Sequence, residues 1–229
     1  MMIILAILLQ WVSPASAGPG PHVLPDATPT KQGGGELSVS VGGTAYVGTT
    51  GSVRARLAAT DRLRIDAAVT GFHGFSGTGW EVPGYLSVRY RVHESEMLSV
   101  TPFAGMGWSY NPEQTIEHKD KEIPVPASFV PLPGVGVSLE GGSRRVRMDL
   151  AAAAAMDIDL VLPVVIAEAG ITLNLTDADG LRVGGVVLVD ELLPAPSVSY
   201  RHAWDRVYIG AQAGFTPVPS VGVSAGMTW

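Results

Sequence analysis

The residues with the most chemistry to offer are the arginines, and they are not scattered. Arg56, Arg62, Arg64, Arg89, Arg91, Arg144, Arg145, Arg147, Arg182, Arg201 and Arg206 all lie within a few residues of short, turn-like segments, and Arg54 sits one pair further up its segment. Asp66, Glu140, Asp149 and Glu168 keep them company at alternate positions. Guanidinium groups assembled in this way can do two things. They can form a basic ring that draws anions, or they can pair with carboxylates and fill an interior. The four acids are about half as many as the arginines that share their face, so the expected pairing is incomplete. Other sets are weaker. His22, His73, His93, His118 and His202 have no nucleophile motif around them, and His73 and His118 read as solvated loop residues rather than partners of a catalytic acid. Asp157-Ile158-Asp159 and Asp190-Glu191 could take a hard cation but read as solvated acidic loops. Asp177-Ala178-Asp179-Gly180 lacks the rest of a calcium loop and reads as a turn. No enzyme activity, metal or cofactor is expected.

The elements that must position these arginines alternate with period two. The clearest is Pro219–Trp229, P-S-V-G-V-S-A-G-M-T-W. Val221, Val223, Ala225, Met227 and Trp229 fall on one face; Ser220, Gly222, Ser224, Gly226 and Thr228 fall on the other. Comparable segments are Glu36–Val47, Ser52–Thr60, Leu63–Phe72, Tyr85–Val92, Leu98–Tyr110 and Phe129–Glu140. Val146–Met156, Pro163–Leu175, Leu181–Val189, Ala195–Arg201 and Arg206–Phe215 complete the set. The pattern predicts about twelve strands, with about ten as the alternative, because boundaries read from pattern drift by several residues. Within Val146–Met156, Ala151–Ala155 is a better helix former than strand former, so a helical or irregular segment is the alternative there. His73–Pro83 reads as a glycine-rich loop and Asn111–Ser128 as a long, irregular, charged one.

Composition says what surrounds such strands. The chain has 229 residues, of which 46% are hydrophobic and only 16% charged, and its mean hydropathy is +0.26. Soluble proteins average about 25% charged residues. Beyond the N-terminus no stretch approaches the roughly 18 uninterrupted apolar residues of a membrane helix. Apolarity spread over alternate residues is what a membrane barrel produces, since every second side chain meets lipid. The 28 glycines suit strands and turns better than helices. There is no cysteine, which excludes disulfides and thiol chemistry. The net charge of −6 argues against a general nucleic-acid binder. Met1–Val12 is an apolar run followed by Ser13-Pro14-Ala15-Ser16-Ala17, whose Ala15-x-Ala17 matches a signal-peptidase site. Residues 1–17 are therefore read as a signal peptide, a short N-terminal anchor being the alternative. Residues 18–35, with Pro19, Pro21, Pro25, Pro29 and Gly33-Gly34-Gly35, read as a flexible tail. Residues 36–229 form the folded domain.

Signal peptide, alternating strands, short-turn and long-loop asymmetry, and a closing V-x-V-x-A-x-M-x-W together make Glu36–Trp229 resemble the Gram-negative outer-membrane β-barrel, or porin-like, class. The resemblance implies an all-β, antiparallel transmembrane β-barrel with short periplasmic turns and longer extracellular loops. It also implies residence in the cell outer membrane after signal-peptide cleavage, and contact with outer-membrane lipid and lipopolysaccharide. The closing motif looks like the signature read by the barrel-assembly machinery during biogenesis.

In that frame the arginine-rich turns mark the periplasmic end and residues 18–35 become a periplasmic tail. Trp204, Trp229, Tyr90, Tyr200 and Tyr208 then lie near the periplasmic rim, and Trp80, Trp108, Tyr85, Tyr110 and Phe215 near the loop rim. Trp80, Trp108, Trp204 and Trp229 are the predicted membrane-interface anchors. Alternation turns Arg54, Arg56, Arg64, Arg89, Arg91, Arg147, Arg182 and Arg201 inward as pore-lining residues, with Asp66, Asp149, Glu140 and Glu168. The expected function is a small, passive, porin-like channel whose arginine-rich mouth favours small anionic solutes, helped by an inner face rich in Gly, Ser, Ala and Thr. The alternative is a structural or surface-interaction barrel with acidic extracellular loops and no open pore.

Overall fold

A segment with one apolar and one polar face leaves two demands: a home for the apolar face and partners for every backbone N–H and C=O. In a membrane a closed sheet meets both. The computed structural model describes residues 32–44, 48–74, 80–95, 97–118, 121–157, 162–188, 193–216 and 218–229. The signal peptide and most of the tail lie outside the described residues, as do Asp159, Asp190, Glu191 and Asp120.

The strands are β1 (Gly35–Thr44), β2 (Gly48–Ala58), β3 (Leu63–Gly74), β4 (Trp80–Tyr90), β5 (His93–Glu94), β6 (Leu98–Asn111), β7 (Gln114–His118), β8 (Lys121–Val125), β9 (Ser128–Gly142), β10 (Val146–Asp157), β11 (Leu162–Asn174), β12 (Asp179–Leu188), β13 (Leu193–Trp204), β14 (Val207–Thr216) and β15 (Val218–Thr228). Neighbours run β4-β3-β2-β1-β15-β14-β13-β12-β11-β10-β9-β6, and a further β4–β6 pairing closes the ring. The result is a closed antiparallel barrel of twelve staves; β5 adds a two-residue extension beside β6. The closing strand pairs with the first from Glu36↔Thr228 to Thr44↔Ser220. Two further backbone bonds finish the seam, Gly35 N–H to the Trp229 carbonyl (3.2 Å) and Trp229 N–H to the Gly35 carbonyl (3.1 Å). Closure removes the free edges along which sheets aggregate.

Alternation sorts the side chains as the pattern predicts. Leu37, Val39, Val53, Leu86, Val88, Met148, Ile171, Val183, Ile209, Val221 and Val223 point out and are exposed, Val223 by 63%. On a soluble protein such a surface would be an aggregation liability; on a transmembrane barrel it is the lipid-facing band.

Several expectations change. Ala151–Ala155 is strand, inside β10, whatever its helix propensity. Tertiary pairing outweighs propensity here: β10 is bonded along most of its length to both β9 and β11, and small inward residues suit a crowded interior. The stretch Asn111–Ser128 is not irregular, since β7 and β8 pair as a separate hairpin from Gln114↔Val125 to His118↔Lys121. The glycine-rich loop after His73 is shorter than read, because β4 already begins at Trp80. Strands also reach further into the opposite connections than the pattern suggested. The length asymmetry between the two ends is therefore concentrated in residues 112–127. Tyr85 and Tyr208 are not rim residues: both are buried on the inner face, where the alternation with Ser87 and with Gly210 places them.

Candidate functional site

The inner face near the short turns gathers the charged residues. Strands in a barrel tilt, so a line of registered neighbours climbs as it goes round. One such line runs Arg64↔Arg89, Arg89↔Phe103, Phe103↔Gly136, Gly136↔Ala153, Ala153↔Ile166. It starts at the second residue of β3, next to the turn, and ends well up β11. Charged side chains occupy its start and apolar ones its end. Two layers follow: charge at the short-turn end, and a mainly apolar belt over it.

In the charged layer Glu36 is the hub on one side. Its carboxylate accepts a hydrogen bond from the Tyr208 hydroxyl at 2.6 Å and lies 3.7 Å from Arg56 Nη1. Arg56 Nε is also 3.5 Å from Asp66 Oδ1, and Asp66 Oδ2 is 2.6 Å from Arg89 Nε. The Arg89 guanidinium rests over the Phe103 ring at 4.7 Å, and that of Arg201 over the Tyr208 ring at 4.0 Å. These are cation–π contacts between desolvated partners. A second set lies across β10, β11 and β12. Arg182 donates to Asp149 through Nε (3.1 Å) and Nη2 (2.5 Å), and to Glu168 through Nη2 (2.6 Å). A fork of this kind suits arginine, whose planar donors match a carboxylate. Two glycines make room for the large side chains. A Cβ on Gly226 would fall 2.4 Å from Tyr208 Cζ, and one on Gly170 would fall 2.4 Å from Arg182 Nη2.

Of the predicted inward residues, Arg54, Arg56, Asp66, Arg89, Glu168, Arg182 and Arg201 are buried inside the barrel, while Arg64, Arg91, Glu140, Arg147 and Asp149 are only partly covered. The second group lies nearer the aqueous end. There Arg91 also turns to Glu94 in the β4–β6 connection, donating at 2.7 Å, and this hydrogen bond holds the Glu94 carboxyl below the usual carboxylate range. Sequence reasoning missed Glu36, which is fully buried (0% exposed), together with Phe103 and the inward role of Tyr85. The signal for Glu36 was present, since it alternates with outward Leu37; it was hidden by standing at the very start of its strand.

The tryptophans stand on the outside. Trp80 packs at a tilt against His73, ring centres 4.7 Å apart, at the loop end, and Trp204 meets His202 edge-on at 4.3 Å at the turn end; Trp80, Trp204 and Trp229 are exposed and Trp108 half-buried. Beside Trp204, Asp179 collects hydrogen bonds from the Thr176 hydroxyl (2.6 Å) and the Tyr200 hydroxyl, and its Oδ1 lies 2.7 Å from His202 Nδ1. Asp177 instead pairs with Arg144 across neighbouring turns at 3.0 Å. The Asp-x-Asp-Gly stretch thus serves as a turn. Among the described residues no three His, Asp or Glu side chains converge as metal ligands.

No protein-family model matches the chain, and no curated protein matches it in sequence. Solved structures do match in shape. The KdgM porin superposes with a TM-score of 0.63 at 8% identity, over 84% of this chain and 98% of that one. The COG4313 outer membrane channel from Pseudomonas putida F1 gives 0.61 at 10% identity, over 90% and 99%. The NanC porin gives 0.56 at 8% identity, over 83% and 97%. At such identities shape is the whole of the likeness: in fold, this chain is a closed antiparallel twelve-stranded β-barrel similar to those of outer-membrane porins and channels.

Proposed function

We propose that the protein resides in the outer membrane as a porin-like barrel that passes small solutes by diffusion and favours anions. One observation carries the preference. Among the described inward side chains are eight arginines (Arg54, Arg56, Arg64, Arg89, Arg91, Arg147, Arg182, Arg201) against six carboxylates (Glu36, Asp66, Glu81, Glu140, Asp149, Glu168), so eight less six leaves two positive charges in excess. In a narrow, low-dielectric passage an excess of one sign sets selectivity. On the outside, Trp80, Trp108, Trp204 and Trp229 act as interfacial anchors against lipid and lipopolysaccharide, and the closing strand supplies the signal for the assembly machinery.

A second reading has its own support. Arg54, Arg56, Arg89, Arg182 and Arg201 are buried, and the ion pairs above cross from strand to strand. A barrel stapled in this way could serve as a closed structural element. Reconstitution in planar bilayers separates the two. Steady conductance with a reversal potential of anionic sign in a salt gradient supports the channel, and Arg89→Ala combined with Arg91→Ala should then reduce the anion preference. A silent bilayer with verified insertion selects the closed barrel.

A further inference from the structure

The outer wall carries a groove of about 690 Å³ near the short-turn end, across β6 and β9–β12. Exposed side chains of Leu98, Met148, Leu150, Ile171 and Val183 form its sides. Its floor drops where side chains are smallest. Gly141 stands in register between Leu98 and Met148, and Ala169 between Leu150 and Gly185. The groove belongs to the outside of the barrel. Arg147, Glu168 and Arg182 project inward from the same strands and take no part in its lining. Glu140 and Asp149 border it from positions that alternate inward, and Asp149 is held there by Arg182. Pockets that hold a single small ligand measure roughly 300–1,000 Å³, so there is room here for one slender apolar body.

The aqueous end of the groove is charged. Gly142 lines that end, and Ser143, Arg144 and Arg145 are the next residues of the chain. Arg145 is exposed and meets no carboxylate among the described residues. Arg144 reaches Asp177 at 3.0 Å, but the two side chains are 84% and 91% exposed, and a pair so solvated is held weakly. The neighbouring Asp179 is engaged by His202. An apolar groove ending beside guanidinium groups is complementary to a molecule with a hydrocarbon chain and an anionic head.

We propose that this groove binds a glycerophospholipid with an anionic headgroup. One acyl chain lies against Met148, Leu150 and Ile171 over Ala169, and the phosphate stands at Arg144 and Arg145. The site rests on residence in a membrane and needs no open pore. A second copy of the barrel fits less well, because a two-fold contact centred here would bring both copies of Arg144 and Arg145 to the same rim.

The test mixes the purified barrel in detergent with equal amounts of dioleoylphosphatidylglycerol and dioleoylphosphatidylcholine and counts retained lipids by native mass spectrometry. One phosphatidylglycerol per barrel should be retained about fivefold over phosphatidylcholine, the preference supplied by a single cation beside an anionic headgroup. Arg144→Gln with Arg145→Gln should bring that ratio close to one. Ala169→Leu, which fills the floor from the lipid-facing side, should remove most of the bound lipid of both kinds, its folded state being checked by the heat-dependent gel shift. Equal retention of the two lipids, a ratio unchanged in the arginine variant, or an adduct unchanged in Ala169→Leu overturns the site. A dimer that replaces the adduct and dissociates in Ala169→Leu overturns it in favour of a second copy. Failure of the barrel to co-float with phosphatidylcholine liposomes removes membrane residence and this site with it; co-flotation without the lipid preference removes the site alone.

Discussion

Asp66 is the residue on which the charged layer turns. It holds Arg89 at 2.6 Å and Arg56 at 3.5 Å, and all three are buried. Removing it leaves two guanidinium groups short of a partner in a place from which water is largely excluded. Breaking a buried pair in this way costs about 3–5 kcal/mol. Asp66→Ala is expected to lower urea stability of the barrel by that order, read from equilibrium unfolding in detergent or liposomes, and to raise anion preference where the channel conducts. An unchanged midpoint would mean that water or a neighbouring acid replaces Asp66. Gly226 is a steric counterpart. Its place under the Tyr208 ring leaves no room for a methyl group, so Gly226→Ala should destabilise by about 1–3 kcal/mol through overpacking. The same unfolding assay reads it, and Tyr208→Phe, which frees the Glu36 carboxylate without adding volume, separates packing from hydrogen bonding.

At the scale of the strand, alternation is the property to challenge. Ala152 and Ala153 are neighbours in β10 with opposite fates: Ala153 is buried inside the barrel and Ala152 is exposed outside. Ala153→Leu should cost about 1–3 kcal/mol by crowding Gly136 and Ile166, its registered neighbours. Ala152→Leu should be neutral or stabilising, because it only adds apolar area against lipid. Equal effects at the two positions would deny the strand. On β15 the logic inverts with charge. Val223 faces outward midway along its strand, and Val223→Arg should cost about 2–4 kcal/mol, the price of a cation near the bilayer midplane. In liposomes of controlled thickness, a cost that vanishes would move Val223 away from the hydrocarbon.

At the scale of the whole molecule, closure depends on the seam and on the long β6–β9 pairing rather than on the appended hairpin. β6 and β9 remain registered from Leu98↔Gly141 up to Asn111↔Ser128, and among the described residues β7 and β8 pair with each other and with no other strand. Replacing residues 113–126 with a short Gly-Ser linker should therefore leave the heat-dependent gel shift and the urea midpoint of the barrel unchanged. Deleting β15 should abolish the folded form, because β1 and β14 would both become edges. Loss of the barrel on removing the hairpin would give that element a structural part it does not have in the pairing scheme.

Much of this was legible in the residue order alone, because a barrel strand needs only local rules. Period two decides which side chains face lipid, and the energetic penalty for burying charge in hydrocarbon makes Arg54, Arg89 or Arg182 face inward without any knowledge of neighbours. Twelve strands, their sidedness, and the crowding of arginine at one end followed from this. What needed the tertiary structure was everything that depends on which strand stands next to which and at what register. Glu36 meets Tyr208 across 172 positions of chain, and Ala151–Ala155 becomes strand because β9 and β11 flank it on both sides. The layering also emerges only on closure. Tilt carries Arg64 and Ile166 along one register line to different heights, which separates charge from the apolar belt, and no local period encodes that offset.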